Sequence, residues 1–115
     1  MTSVLIVEDE ESLADPLAFL LRKEGFEATV VADGPSALAE FERAGADIVL
    51  LDLMLPDGNG AAVLEYIRTR QLPIRVAVTT GASNWQAMLD QLQPDALFTK
   101  PLDFNRLVNW LSDPQ

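Results

Sequence analysis

Several polar side chains stand where a short apolar run stops. Val4-Leu5-Ile6-Val7 gives way to Glu8-Asp9, and Ile48-Val49-Leu50-Leu51 to Asp52. Ile74 to Val78 runs into Thr79-Thr80-Gly81, and Ala96 to Thr99 into Lys100-Pro101. If the runs are neighbouring parallel strands, these groups share one rim of a sheet. Three carboxylates, Glu8, Asp9 and Asp52, brought close together repel one another, so either their pKa values rise or a cation sits among them. An all-oxygen donor set suits a hard ion such as Mg²⁺, which keeps waters and phosphate oxygens in its remaining positions. A carboxylate in that setting can attack a phosphoryl group, giving an aspartyl-phosphate, when a metal and a positioned cation neutralise the transferring charge. Lys100 is placed to be that cation. The Thr80 hydroxyl can bond a phosphoryl oxygen and so report whether Asp52 is modified. Singly, each feature has a plainer reading: Glu8-Asp9-Glu10-Glu11 as a solvated helix start, Lys100-Pro101 as a strand end. Their shared position at the carboxyl ends of strands is what a structural reading does not explain.

Composition narrows the chemistry. The chain contains neither cysteine nor histidine. Disulfides, Ser-His and Cys-His catalysis and imidazole or thiolate metal sites are therefore excluded, leaving carboxylates, hydroxyls, lysine and backbone amides. A formal charge of −10, from 18 acidic against 8 basic residues, repels a phosphate backbone, so no direct nucleic-acid binding is expected of this segment. No apolar run approaches the roughly 20 residues that span a bilayer. The first residues enter a strand pattern without a basic leader, so a cytoplasmic location and no membrane association are expected. The 115 residues suit one domain with one core, residues 1–115.

The elements that must position these groups follow from periodicity. The apolar runs at Val4–Val7 and Ile48–Leu51 are short, continuous and rich in β-branched residues, as in strands buried on both faces. Ala28 to Ala32 reads as a further strand. Between the strands lie helical patterns. The first, about Ser12 to Glu24, carries Leu13, Leu17, Leu20 and Leu21, with Ser12 as N-cap and Gly25 as stop; on that reading Pro16 gives up only the first intrahelical bond. Asp33-Gly34-Pro35-Ser36 opens a second helix with Leu38 and Phe41 inward, and Val63, Leu64 and Ile67 mark a third. Ser83 to Leu92 reads as a fourth, with Trp85 inward, and Phe104, Leu107, Val108 and Leu111 form the stripe of the last. Five strands alternating with five helices through short loops specify a doubly wound α/β sandwich with a parallel sheet covered on both faces, the expected strand order being 2-1-3-4-5. Such sheets bind ligands beyond the carboxyl ends of strands 1 and 3, where Glu8, Asp9 and Asp52 fall.

Over almost its whole length the sequence resembles the receiver domains of two-component response regulators, with the flavodoxin-like fold. The resemblance rests on the apolar strand before Glu8-Asp9, the segment Leu-Leu-Asp52-Leu-Met-Leu-Pro-Asp-Gly, Thr80-Gly81, and Lys100-Pro101. It implies that Asp52 is the phosphoacceptor, that Asp9, Asp52 and the Met54 backbone carbonyl bind Mg²⁺, and that Glu8 acts through a metal-bound water. It further implies Thr80 as the switch hydroxyl, Lys100 as the phosphoryl contact and a cis peptide before Pro101. The implied partners are a histidine kinase or phosphotransfer protein, and an effector domain or partner protein met through the face of the fourth helix, fifth strand and last helix. Such a domain is not an enzyme beyond its own phosphorylation and dephosphorylation, and the sequence is compatible with a homodimer.

Two departures bear on the switch. The family usually places an aromatic three residues before the lysine; here that position is Leu97, and the aromatic is Phe98, which a one-residue step turns to the opposite face. The stretch from Thr80 to Lys100 is also short. Leu97, Phe98 and Trp110, the last lying off its helix's apolar stripe, are candidates for the switch and partner surface. Met54 and Ala82 are apolar where fast family members orient an attacking water, which implies slow self-dephosphorylation. Two rivals are a haloacid-dehalogenase-type hydrolase, which needs an acid where Met54 stands, and a receiver-like interaction module that works without phosphorylation. The tail Ser112-Asp113-Pro114-Gln115 suits either a natural end or the start of a linker.

Overall fold

The computed structural model describes residues 2–55, 60–81 and 93–113. Its strands are β1 (Ser3–Val7), β2 (Glu27–Val31), β3 (Ile48–Asp52), β4 (Arg75–Thr80) and β5 (Ala96–Thr99). The helices among the described residues are α1 (Glu11–Lys23), α2 (Gly34–Arg43), α3 (Gly60–Thr69) and α4 (Phe104–Ser112). The strands form one parallel sheet in the order β2-β1-β3-β4-β5. The expected helix from Ser83 to Leu92, with Trp85, lies outside the described residues.

Strand alternation divides the core into two layers. On one face Val4, Ile6, Ile48, Leu50 and Phe98 pack with Ala14, Ala18 and Leu21 of α1 and with Leu107 and Leu111 of α4. On the other, Leu5, Val7, Val49, Leu51 and Val78 pack with Ala37 of α2 and with Val63, Leu64 and Ile67 of α3. Because both faces are covered, odd and even positions of β1 and β3 are apolar alike, which is why these strands read as unbroken apolar runs.

Helix α1 departs from its expected register. Its N-cap is Glu10, which makes no side-chain cap bond, and not Ser12. The Glu10 carbonyl accepts from the amides of Leu13 and Ala14, and its own amide points at Glu8 Oε2, 3.4 Å away. Turning the chain this early keeps the acidic pair at the strand end, and it places Pro16 inside the helix, where it does remove an intrahelical bond. The buried stripe is also shifted: Ala14 and Ala18 are fully covered, while Leu13 and Leu20 are 44% and 41% exposed. Alanine lets the helix axis approach the sheet closely, and the leucines are rotated to its flank.

At the opposite edge, Arg75 of β4 holds the end of α4. Its guanidinium lies 4.0 Å over the Trp110 ring and donates to the carbonyls of Asp113 (3.0 Å) and Trp110 (3.2 Å). The last turn of α4 has no basic residue of its own, so a strand residue supplies the cation its carbonyl end favours.

Candidate phosphoacceptor site

Parallel strands deliver their carboxyl ends to one rim. Glu8 follows β1 directly, Asp52 is the last residue of β3, and Lys100 follows β5. Glu8, Asp9 and Asp52 each offer a carboxylate oxygen, all within 4.8 Å of one another. The Lys100 ammonium donates to Glu8 Oε1 at 2.7 Å and to Asp52 Oδ2 at 3.3 Å. Asp52 Oδ1 accepts from the Met54 amide at 2.9 Å, so both carboxylate oxygens have a donor and the group is held in one orientation.

Charge in this pocket is out of balance. Burial raises the Glu8 carboxyl above its ordinary value, and hydrogen bonding to Asp52 adds to the rise against the opposing pull of Lys100. For Lys100, burial alone would lower the pKa, but the hydrogen bond to Glu8 and the attraction of Asp52 and Glu8 outweigh it and leave the pKa raised. The two shifts agree once the sharing is counted: one ammonium serves two carboxylates, so the cation is over-stabilised and Glu8 under-compensated. An oxygen-only cluster with surplus negative charge fits a hard metal ion.

A stability test follows. A carboxyl raised above its unfolded value contributes most to stability below that value, and the contribution fades as pH rises through the folded one. Glu8→Gln mimics the protonated form. Without added metal, this variant is expected to melt above wild type at neutral pH, and the difference is expected to vanish in acid near and below pH 4.5, the ordinary carboxyl value. Thermal unfolding across pH decides it; a variant less stable than wild type at pH 7 would show that the Lys100 pair outweighs burial.

Gly60, which the sequence offers only as a turn residue, lies against the backbone that carries Asp52. A side chain on Gly60, the first residue of α3, would stand 3.0 Å from the Asp52 carbonyl, the Leu53 Cα and the Leu53 carbonyl. All three are backbone and cannot swing away. Gly60→Ala is expected to cost about 1–3 kcal/mol and to displace the Asp52–Met54 backbone, read as a lower denaturation midpoint together with amide shifts at Leu53 and Met54. The signal available in the sequence was a second glycine close after Gly58.

The remaining candidates are divided by strand parity. Thr80 is fully buried at the end of β4, and its carbonyl accepts the Lys100 amide at 2.9 Å. Thr79 is the cross-strand partner of Asp52. Leu97 lies against the α2/α3 layer, whereas Phe98 is 4% exposed in the α1/α4 layer, edge-on to Trp110 with ring centroids 6.2 Å apart. Phe98 is therefore a core residue and not part of a partner surface. Trp110 is half-buried between Phe98 and Arg75, so it is no exposed anchor either; its position off the stripe reflects contact with a strand flank. The Met54 side chain is 56% exposed. The peptide before Pro101 is cis. Ala82 lies outside the described residues.

The family model described as the response regulator receiver domain matches residues 4–112. The chain belongs to that family. The receiver domain is 62% identical over 109 residues to the sensory transduction protein RegX3 of Mycolicibacterium smegmatis, covering 94% of this chain and 48% of the relative. It is 35% identical over 108 residues to the probable transcriptional regulatory protein TcrX of Mycobacterium tuberculosis, covering 92% and 46%. The chain spans about half the length of the curated relatives it matches. Among solved structures, the signal receiver domain of a putative Luxo repressor protein from Vibrio parahaemolyticus superposes with a TM-score of 0.86 at 30% identity, covering 96% of this chain and 87% of that one. The response regulator TrrA from Thermotoga maritima, in complex with Mg(2+)-BeF, gives 0.85 at 28%, covering 96% and 99%. These likenesses agree with the expected receiver fold and its strand order. Among the described residues, no helix is long and apolar enough to cross a membrane.

Proposed function

We propose that this receiver domain accepts a phosphoryl group on Asp52 from a histidine kinase or phosphotransfer protein and relays the change to an effector domain or partner. The observation that carries the reading is one ammonium, Lys100, within 3.3 Å of the Asp52 carboxylate, beside two further carboxylates. An Asp52 oxygen forms the new bond to phosphorus, and the bond from phosphorus to the donor breaks with its electron pair leaving on the donor. Lys100 faces the charge of the incoming group, and the Met54 amide fixes the rotation of the acceptor. Mg²⁺, held by Asp9, Asp52 and the Met54 carbonyl with Glu8 behind a water, would neutralise phosphoryl charge when bound. Thr80 is the hydroxyl that reads the modified state. The domain catalyses only its own phosphorylation and dephosphorylation; Met54, in the position where the dehalogenase-type hydrolases carry an acid, offers no group to turn over external esters.

The acidic surface gives this segment no means of gripping a phosphate backbone. If the protein acts on DNA, as the name of the related DNA-binding response regulator MtrA of Mycobacterium leprae suggests, the contact belongs to an attached effector. With an apolar Met54 side chain beside the site, the phosphorylated form is expected to decay slowly; complete hydrolysis within seconds of removing the donor would contradict this.

Intact-mass spectrometry after incubation with acetyl phosphate, with and without Mg²⁺, tests the function. One phosphoryl group gained only with Mg²⁺ is the expected result. No gain from acetyl phosphate or from a cognate kinase, with the fold intact, would point to an interaction module that works without phosphorylation.

A further inference from the structure

Beside the phosphoacceptor site the elements that cover the sheet leave a space between them. A cavity of about 540 Å³ opens between α1 and the segment that joins β5 to α4. Its floor is formed by Ile6 and Leu50, its roof by Leu13, Leu17 and Leu20 of α1, and its far wall by Leu102 and Phe104. The cavity arises from the shift of α1 noted above. With Ala14 and Ala18 against the sheet, Leu13 and Leu20 overhang the mouth, each more than 40% exposed, instead of filling the space beneath. Polar groups gather at one end only, where Glu8, Lys100 and Thr79 line the wall.

The volume and the apolar lining are those of a small-molecule site, and the polar end decides the class of ligand. Lys100 already donates to both Glu8 and Asp52. A second anion there would have to take the ammonium from them, whereas a cation would meet carboxylates that outnumber their partner. We infer that this cavity is a binding site for small amphipathic amines, the apolar body lying between α1 and the β5–α4 segment and the ammonium reaching Glu8. A bound amine occupies the Glu8 and Lys100 end of the cavity, next to Asp52, and neutralises Glu8, which would otherwise help to attract a metal ion, so it holds the domain unphosphorylated. That consequence rests on the phosphoacceptor reading; the site itself does not.

Isothermal titration calorimetry of the whole chain without Mg²⁺, against 4-phenylbutylamine, 4-phenylbutanol and 4-phenylbutyrate, tests the inference. The amine is expected to bind with a dissociation constant on the order of 1 mM, as suits a ligand of that size, and the carboxylate about tenfold or more weaker because it forfeits the charge-assisted contact. Replacing both overhanging leucines with serine (Leu13→Ser, Leu20→Ser), at positions exposed enough to spare the fold, is expected to weaken amine and alcohol alike by about tenfold. Glu8→Gln is expected to remove the preference for amine over alcohol while leaving the alcohol bound. Equal affinity for amine and carboxylate, or no binding of the amine, overturns the proposal. So does a serine pair that leaves every affinity unchanged yet slows phosphoryl transfer from a protein donor and not from acetyl phosphate, which would make the cavity a docking groove for that donor. Because binding is read without phosphoryl transfer, an inert Asp52 would leave these results unaltered.

Discussion

Asp52→Asn is expected to abolish phosphoryl acceptance, with no mass gain from acetyl phosphate at any Mg²⁺ concentration, while the domain stays folded. The amide keeps an oxygen that can accept from the Met54 amide, as Asp52 Oδ1 does at 2.9 Å. It lacks the charge that makes a carboxylate nucleophilic. Lys100 retains Glu8 at 2.7 Å, so the substitution orphans no cation. It also removes one of the two carboxylates competing for that ammonium, and stability in metal-free buffer should be no lower than wild type. Phosphorylation of the variant at the wild-type rate would move the acceptor elsewhere.

Lys100→Met is expected to slow acceptance from acetyl phosphate by about 10²–10³-fold, the usual effect of removing one positioned charge from a transferring group. It also carries a pH-dependent stability cost. The folded pKa of Lys100 is raised, so its contribution is fully present below the ordinary value of 10.5 and is lost as pH rises through the folded value. Wild type should therefore exceed the variant in stability at neutral pH, the gap closing in strong alkali. It should narrow in acid as well, when Glu8 takes up a proton. Single-turnover phosphorylation and urea unfolding at several pH values measure the two effects. A stability gap that ignores pH would mean that the lysine stem, through packing, matters more than its charge.

The expectations that held were those carried by strands. Apolar runs ending on Glu8, Asp52 and Lys100 located the strand ends, and parallel connection through helices leaves little freedom in where those ends lie. Parity worked for the same reason. Leu97 and Phe98 are adjacent on β5 and face different layers, as a two-residue repeat requires. What parity could not say is which of those layers buries an aromatic side chain completely.

Helices were less legible. The leucines of α1 spell an apolar stripe, yet the helix buries Ala14 and Ala18, because close approach to a sheet rewards small residues as much as large ones. Ser12 has the chemistry of a cap, but the chain turns at Glu10, a position set by the strand before it and not by local preference. Trp110 read as a surplus aromatic until the fold brought Arg75 from the far end of β4 against it.

The sequence by itself determined the parallel, doubly covered sheet and the kinds of group at its rim, since both depend on residue types and on regular spacing along the chain. Only the tertiary structure decided that one ammonium is shared between Glu8 and Asp52, that Gly60 must lie against the backbone of Asp52 and Leu53, and that α1 leaves a cavity beside them. Each of these depends on distances between segments far apart in the chain, to within about the width of a methyl group, and no local pattern records such distances.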